Sequence, residues 1–182
     1  MKVYKDNFIE PIIFSGSFNP MHTGHQAIAQ HAYTHMGRRV WLELPTKNCN
    51  TNKPNLTPTQ LSLRVSFLRS QIRGLHYIEG LVVSDYATFV DKLALYQRPK
   101  FLVGMNTLSK VEDPSSYFNG EQGVKNAIEV LCKKDAMFIV YPRLGSPMHV
   151  CKSQRLKEIC HMVTQTYEPI DISSTAIRKG CV

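Results

Sequence analysis

The amino-acid sequence predicts an α/β fold: a doubly wound, mainly parallel sheet of five or six strands with helices on both faces. Three observations predict it. Short apolar, β-branched runs alternate with helical patterns along the whole chain. The runs are near-continuously apolar rather than alternating, as strands covered on both faces require. The length of 182 residues, 43% hydrophobic and 20% charged, suits one domain (1–182) with its own core.

The expected strands are PIIFS (11–15), RVWLEL (39–44), HYIEGLVVS (76–84), KFLVG (100–104) and AMFIVY (136–141). Between them, 22–36, 58–73, 88–97 and 121–133 carry helical patterns. Thr57 with Gln60 and Thr88 with Asp91 have capping-box spacing, and Pro58 suits a first helical turn. Gly37 and Gly74 stand where the first two helices should end. Strand, helix and strand in repeated succession give a Rossmann-like arrangement, whose ligands bind beyond the carboxyl ends of the strands. The loops 45–57 and 142–150, rich in Asn, Pro, Gly and basic residues, are the expected site-forming ones.

Lys and Arg total 22 against 14 Asp and Glu, a net charge of +8 and a pI near 9.3. That balance suits an anionic partner. No basic block is laced with aromatics, so nucleic acid is not the expected partner. Five cysteines, without a CxxC pair, argue against a disulfide framework and fit a reducing cytoplasm. The opening MKVYKDNFIE contains Asp6 and Glu10 and is not expected to act as a signal peptide. No apolar run reaches the roughly 18 residues of a membrane helix, so no membrane is expected. A homo-oligomer is compatible with this reading.

The stretch FSGSFNPMHTGHQAIA (14–29) leads from the first strand into the first helix. His22 and His25 lie three apart on that helix's first turn, flanking Gly24. Free N–H groups there attract phosphate, two imidazoles can donate to its oxygens, and Gly24 removes a side chain that would block approach. As a zinc site the pair lacks a third ligand, and no metal is expected on the protein. As core histidines they are poorly placed. His31 and His35, four apart without the glutamate of a zinc-protease motif, read as a solvent-facing stripe. His149, Cys151, Cys160 and His161 are too irregularly spaced for a metal set. The segment matches neither the P-loop nor GxGxxG. A second segment, DISSTAIRKG (171–180), sets Ser173, Ser174 and Thr175 before a helical step that ends in Arg178. Hydroxyls at a helix start with an arginine one turn later also suit phosphate, although a serine cap with a surface arginine has the same letters.

Together the two segments resemble the nucleotidyltransferase superfamily. Its GxFxPxHxGH pattern reads Gly16, Ser17, Phe18, Asn19, Pro20, His22, Gly24 and His25 here, and its ISSTxIR pattern runs from Ile172 to Arg178 without mismatch. Within the superfamily the middle of the chain is similar to nicotinate/nicotinamide mononucleotide adenylyltransferases. A lysine-containing loop is represented by Lys47 or Lys53, and a helix arginine by Arg64. A YTxxTL element is echoed by Tyr86 and Thr88, FxxGADxL by FLVGMNTL with Gly104 and Asn106, and RxG by Arg143 and Gly145. Asn106 replaces an aspartate of the pattern, and Tyr117 or Phe118 stands where a stacking tryptophan is usual.

The resemblance implies adenylyl transfer from ATP, carried with Mg²⁺, to a pyridine mononucleotide. It implies that His22 and His25 meet the ATP phosphates, that Ser173, Ser174, Thr175 and Arg178 grip the β- and γ-phosphates, and that Ile172 belongs to the same binding segment. Lys47 or Lys53 would bridge the reactants' phosphates, and the backbone of Gly16–Phe18 would meet mononucleotide and adenosine. Gly104 and Asn106 would lie near the nucleotide, with Arg64, Thr88, Tyr117 and Arg143 completing the site. Another transferase of the superfamily, acting on phosphopantetheine, flavin mononucleotide or a cytidylyl acceptor, shares the two end motifs. So would a nucleotide-binding regulator without turnover.

Overall fold

In the computed structural model, which describes residues 8–47, 55–142, 144, 151–164, 167–170, 172 and 174–180, each expected apolar run forms a strand. The chain order is β1 (Phe8–Ile9), β2 (Ile12–Ser15), α1 (Thr23–Met36), β3 (Val40–Pro45), α2 (Pro58–Ile72) and β4 (Ile78–Ser84). A 3₁₀ turn (Asp91–Ala94), β5 (Tyr96–Gln97), β6 (Lys100–Gly104) and α3 (Met105–Leu108) follow. Two further 3₁₀ turns lead to α4 (Gly120–Lys133), β7 (Met137–Tyr141), α5 (Gln154–Glu158), β8 (Cys160–Met162) and α6 (Ser174–Arg178).

Six strands form one sheet in the order β4-β3-β2-β6-β7-β8, and every neighbouring pair is parallel. The chain builds outward from β2 in one direction, then returns to β2's other edge and builds the opposite way. Right-handed crossovers therefore place α1 and α2 on one face and α4 and α5 on the other. The arrangement is the doubly wound, Rossmann-like one.

Burial follows the two-residue alternation of the strands. Ile12, Phe14, Leu42, Leu102 and Ile139 face Ala29 and Ala32 of α1 and Leu68 of α2. Ile13, Phe101, Val103, Phe138 and Val140 face Val124, Ile128 and Leu131 of α4 and Leu156 of α5. The sheet is sealed on both sides, and its carboxyl edge is left for chemistry.

Helix ends obey local rules. Thr57 Oγ1 accepts the Gln60 N–H at 3.3 Å while Gln60 Oε1 accepts the Thr57 N–H at 3.0 Å. Gly37 closes α1 at φ 65°, its N–H donating to the Tyr33 carbonyl.

The expected helix over 88–97 is not formed. Thr88 and Asp91 do exchange hydrogen bonds at 3.2 and 3.3 Å, but they start only the 3₁₀ turn Asp91–Ala94. Tyr96 leaves helical geometry to pair with Phe8 in a two-stranded ribbon, and its ring is 1% exposed in the core. Arg98 at φ 48° and Pro99 then aim the chain into β6. The short edge strand β8 was not expected from the sequence. Exposed His161 interrupts its apolar run.

Candidate active site

At the carboxyl edge, where strand order reverses between β2 and β6, lies a cleft of about 700 Å³. Its floor is the end of β2 and the loop 16–22 leading to α1. A Cβ on Gly16 would stand 3.1 Å from the Phe18 ring, so the absence of a side chain lets the loop fold over that ring. Phe18 itself, at φ 41°, points inward and is 1% exposed, its ring edge-on to Phe14 and His25. A bulky residue at positive φ is held there by its burial.

The carbonyls of this loop are tied to two other elements, α2 and α6. Arg64 of α2 donates to Ser17 O at 2.8 Å, and Gln71 Nε2 donates to Met21 O at 3.1 Å. Arg178 Nη1 of α6 donates to Asn19 O, and Ser174 Oγ donates to Pro20 O at 2.9 Å. The two segments read from the sequence, more than 150 residues apart, are thus stitched together. Gly24 makes the junction feasible: a Cβ there would lie 3.0 Å from Ile172 Cγ2 and 3.2 Å from the His22 ring.

His22 and His25 sit with ring centroids 3.7 Å apart at the start of α1, which has no acidic side chain in its first turn. The His22 backbone N–H donates to His25 Nδ1 at 3.2 Å. Nδ1 is therefore the acceptor and Nε2 carries the proton, leaving a donor for a ligand oxygen. Burial, reinforced by His22, pushes the His25 pKa down from 6.5 to about 3. It is a neutral donor at physiological pH.

The cleft is lined by Lys47, Arg64, Lys92, Lys110 and Arg178, and by no described Asp or Glu. Burial lowers the Arg64 pKa, and the neighbouring Arg178 lowers it further. Two neighbouring guanidiniums in a cleft with no described lining carboxylate suit an anion. Lys47 has an exposed partner in Asp85 at 3.4 Å.

The structure gathers most of the residues singled out in the sequence around this cleft. Gly16, Ser17, Asn19, His22, Gly24, His25, Lys47 and Arg64 line it, as do Thr88, Gly104, Asn106 and Tyr117. Ile172, Ser174, Thr175 and Arg178 close it from the C-terminal side. Phe18 supports the loop from beneath. Lys53, Arg143, Gly145, His149 and Ser173 lie outside the described residues. Tyr117, not the fully exposed Phe118, reaches the cleft, its hydroxyl donating to Val111 O at 3.0 Å.

His31 departs from the expected solvent stripe. It is half-buried, its Nδ1 is 3.0 Å from the Tyr141 hydroxyl, and its ring is edge-on to Tyr141 and Tyr167. Tyr141 ends β7 and crosses to α1, which a helical period alone does not reveal. Tyr141, Tyr167 and Lys92 line the cleft without having been singled out. Glu43, a lone acid inside the apolar strand VWLELP, was the available signal for Lys92, because a buried carboxylate requires a partner. Among the described residues, no group of three or more His, Cys, Asp or Glu is placed to hold a metal ion. None of the described helices is long and apolar enough to cross a membrane.

A parallel doubly wound sheet with a basic cleft at its switch point fits an enzyme of the nucleotidyltransferase class. Residues 13–180 match the model of the cytidylyltransferase-like family, and the chain belongs to that family. A protein of Bacteroides fragilis named probable nicotinate-nucleotide adenylyltransferase is 31% identical over 178 residues, covering 92% of this chain and 80% of its own. Proteins of the same name from Thermotoga petrophila and Bacteroides thetaiotaomicron are 27% and 26% identical, over 92% and 99% of this chain and 83% and 85% of theirs.

Proposed function

We propose that the protein transfers the adenylyl group of ATP to nicotinate or nicotinamide mononucleotide, forming the dinucleotide and releasing pyrophosphate. The observation that carries this reading is the cleft itself: five basic side chains and two imidazoles, with no carboxylate among the described lining residues, at the sheet's switch point. The names of the relatives supply the acceptor class.

In this reaction a phosphate oxygen of the mononucleotide attacks the α-phosphorus of ATP. A new P–O bond forms in line as the bond to the β-phosphate breaks, and its electron pair leaves with pyrophosphate. The attacking oxygen is already anionic, so no side chain needs to remove a proton. Catalysis then consists of aligning two anions and stabilising charge on the transferring phosphate. His25 Nε2–H and His22 are the donors to that phosphate. Ser174, Thr175 and Arg178, with Ser173, hold the β- and γ-phosphates. Lys47 or Lys53 bridges the two reactants, and Arg64 stands beside Arg178. Mg²⁺ would accompany ATP rather than be held by the protein and would offset phosphate charge, which suits its preference for phosphate oxygens and water and a cleft lined by basic side chains.

The test is steady-state pyrophosphate release from ATP with each mononucleotide, with CTP as the alternative donor and flavin mononucleotide and phosphopantetheine as alternative acceptors. Turnover is expected with ATP and at least one pyridine mononucleotide. Absence of release with both pyridine mononucleotides refutes the proposal.

A further inference from the structure

Beneath the cleft lies a buried polar network that the reaction as described does not use. Ser15, Glu43 and Ser84 stand at the carboxyl ends of the adjacent strands β2, β3 and β4, with Ser15 and Glu43 in direct register. By strand alternation Ser15 and Glu43 face the side opposite α1, where Lys92 arrives from the connection between β4 and β6. Lys92 Nζ donates to Glu43 Oε2 at 2.7 Å and to Ser15 Oγ at 2.6 Å, and Ser84 Oγ donates to Glu43 Oε1 at 2.6 Å. The side chains of Glu43 and Lys92 are 0% and 3% exposed.

An isolated ion pair at this depth is a poor way to stabilise a fold, because desolvating both charges offsets their attraction. Its orientation suggests a use. An ammonium can only donate, so Ser15 Oγ is the acceptor in that contact and its own proton must point elsewhere. Ser15 is half-buried and lines the cleft, and its hydroxyl has no other hydrogen-bond partner among the described residues. A hydroxyl accepting from a buried ammonium is polarised into a stronger donor, because linked hydrogen bonds reinforce one another.

We propose that Ser15 is a substrate-positioning residue that donates to the phosphate of the acceptor mononucleotide, with Lys92 and Glu43 as the positioning pair behind it. The inference rests on the adenylyl-transfer reading and adds to it. The network occupies the wall opposite α1 and α6, whose groups are assigned to the triphosphate. The wall formed by β2 and the β4–β6 connection, with Thr88 and Phe89 beside Lys92, is thereby left to the second reactant. A hydroxyl strengthened as a donor in this way favours an anionic oxygen as its acceptor.

The test is Ser15→Ala, which deletes one hydroxyl and leaves the Lys92–Glu43 contact in place. The expected result is a rise of about tenfold in KM for the mononucleotide, the worth of one hydrogen bond to a charged group. KM for ATP should stay within twofold, in a variant that remains folded at the assay temperature. An unchanged mononucleotide KM, or a rise confined to ATP, overturns the inference. Calorimetric titration of the wild-type and variant proteins with nicotinate and nicotinamide mononucleotide separates this inference from the reaction. If the wild type binds a mononucleotide but releases no pyrophosphate, adenylyl transfer fails, while tenfold weaker binding by Ser15→Ala still upholds the hydroxyl's role. Equal binding by both proteins, or none by the wild type, overturns it.

Discussion

Glu43→Gln is the perturbation whose consequence follows most directly from the structure. Glutamine keeps the shape of the side chain. Its amide can still accept from Lys92 and donate to Ser84, so charge is the main thing removed. The remaining ammonium sits where the Lys92 side chain is 3% exposed and its partner's was 0%. Leaving one charge of a buried pair uncompensated costs about 3–5 kcal/mol. For a domain of this size each kcal/mol moves the melting temperature by about 2–4 °C, so a fall of roughly 6–20 °C is expected. Urea denaturation followed by circular dichroism reads the loss. Trp41 is the sole tryptophan and packs against the cluster on the same face as Glu43, so its fluorescence gives a second, local probe. Glu43→Leu combined with Lys92→Met removes both charges and should recover most of the stability. A single variant within about 1 kcal/mol of wild type, or a double variant no better than the single, refutes the reasoning.

Other outcomes concern the cleft. His25→Ala should lower kcat by about 10²–10³ with the fold intact, the loss typical of one donor to a developing oxyanion. Near-normal turnover in a folded variant removes His25 from the chemistry. Arg178→Ala should raise KM for ATP by about 10- to 100-fold, as for one charged contact to phosphate. A change confined to the mononucleotide would reverse the placement of the two reactants. Because His25 is held neutral down to about pH 3, the unfolded chain binds its proton first as pH falls below 6.5. Stability should therefore decline from pH 6.5 downward, by at most about 1.4 kcal/mol per pH unit from this group. His25→Asn should flatten that part of the profile when denaturation midpoints are compared between pH 7.5 and 5.

Much of the fold was legible because its signals are local. Apolar strands covered on both faces need no tertiary information to be recognised, and the Thr57–Gln60 cap and Gly37 stop act within one turn. The same locality misled at 88–97. Thr88 and Asp91 form their reciprocal bonds, yet burial of Tyr96 and pairing with Phe8 outweigh one turn's helical preference. His31 was misjudged for a related reason: its position on α1 is periodic, but its partner Tyr141 lies 110 residues away.

For the cleft, the sequence by itself determined the two phosphate-seeking segments, the positive charge and the strand–helix alternation that brings ligands to the carboxyl edge. Those properties reside in residue types and short spacings. Only the tertiary structure decided how the parts meet. Arg178 and Ser174 hold the carbonyls of Asn19 and Pro20, and Gly24 leaves room for Ile172. Glu43, one letter within an apolar strand, finds Lys92 49 residues later. The reason is desolvation: a buried charge is tolerable only beside its counterion, and which residue supplies it depends on how the chain closes in space.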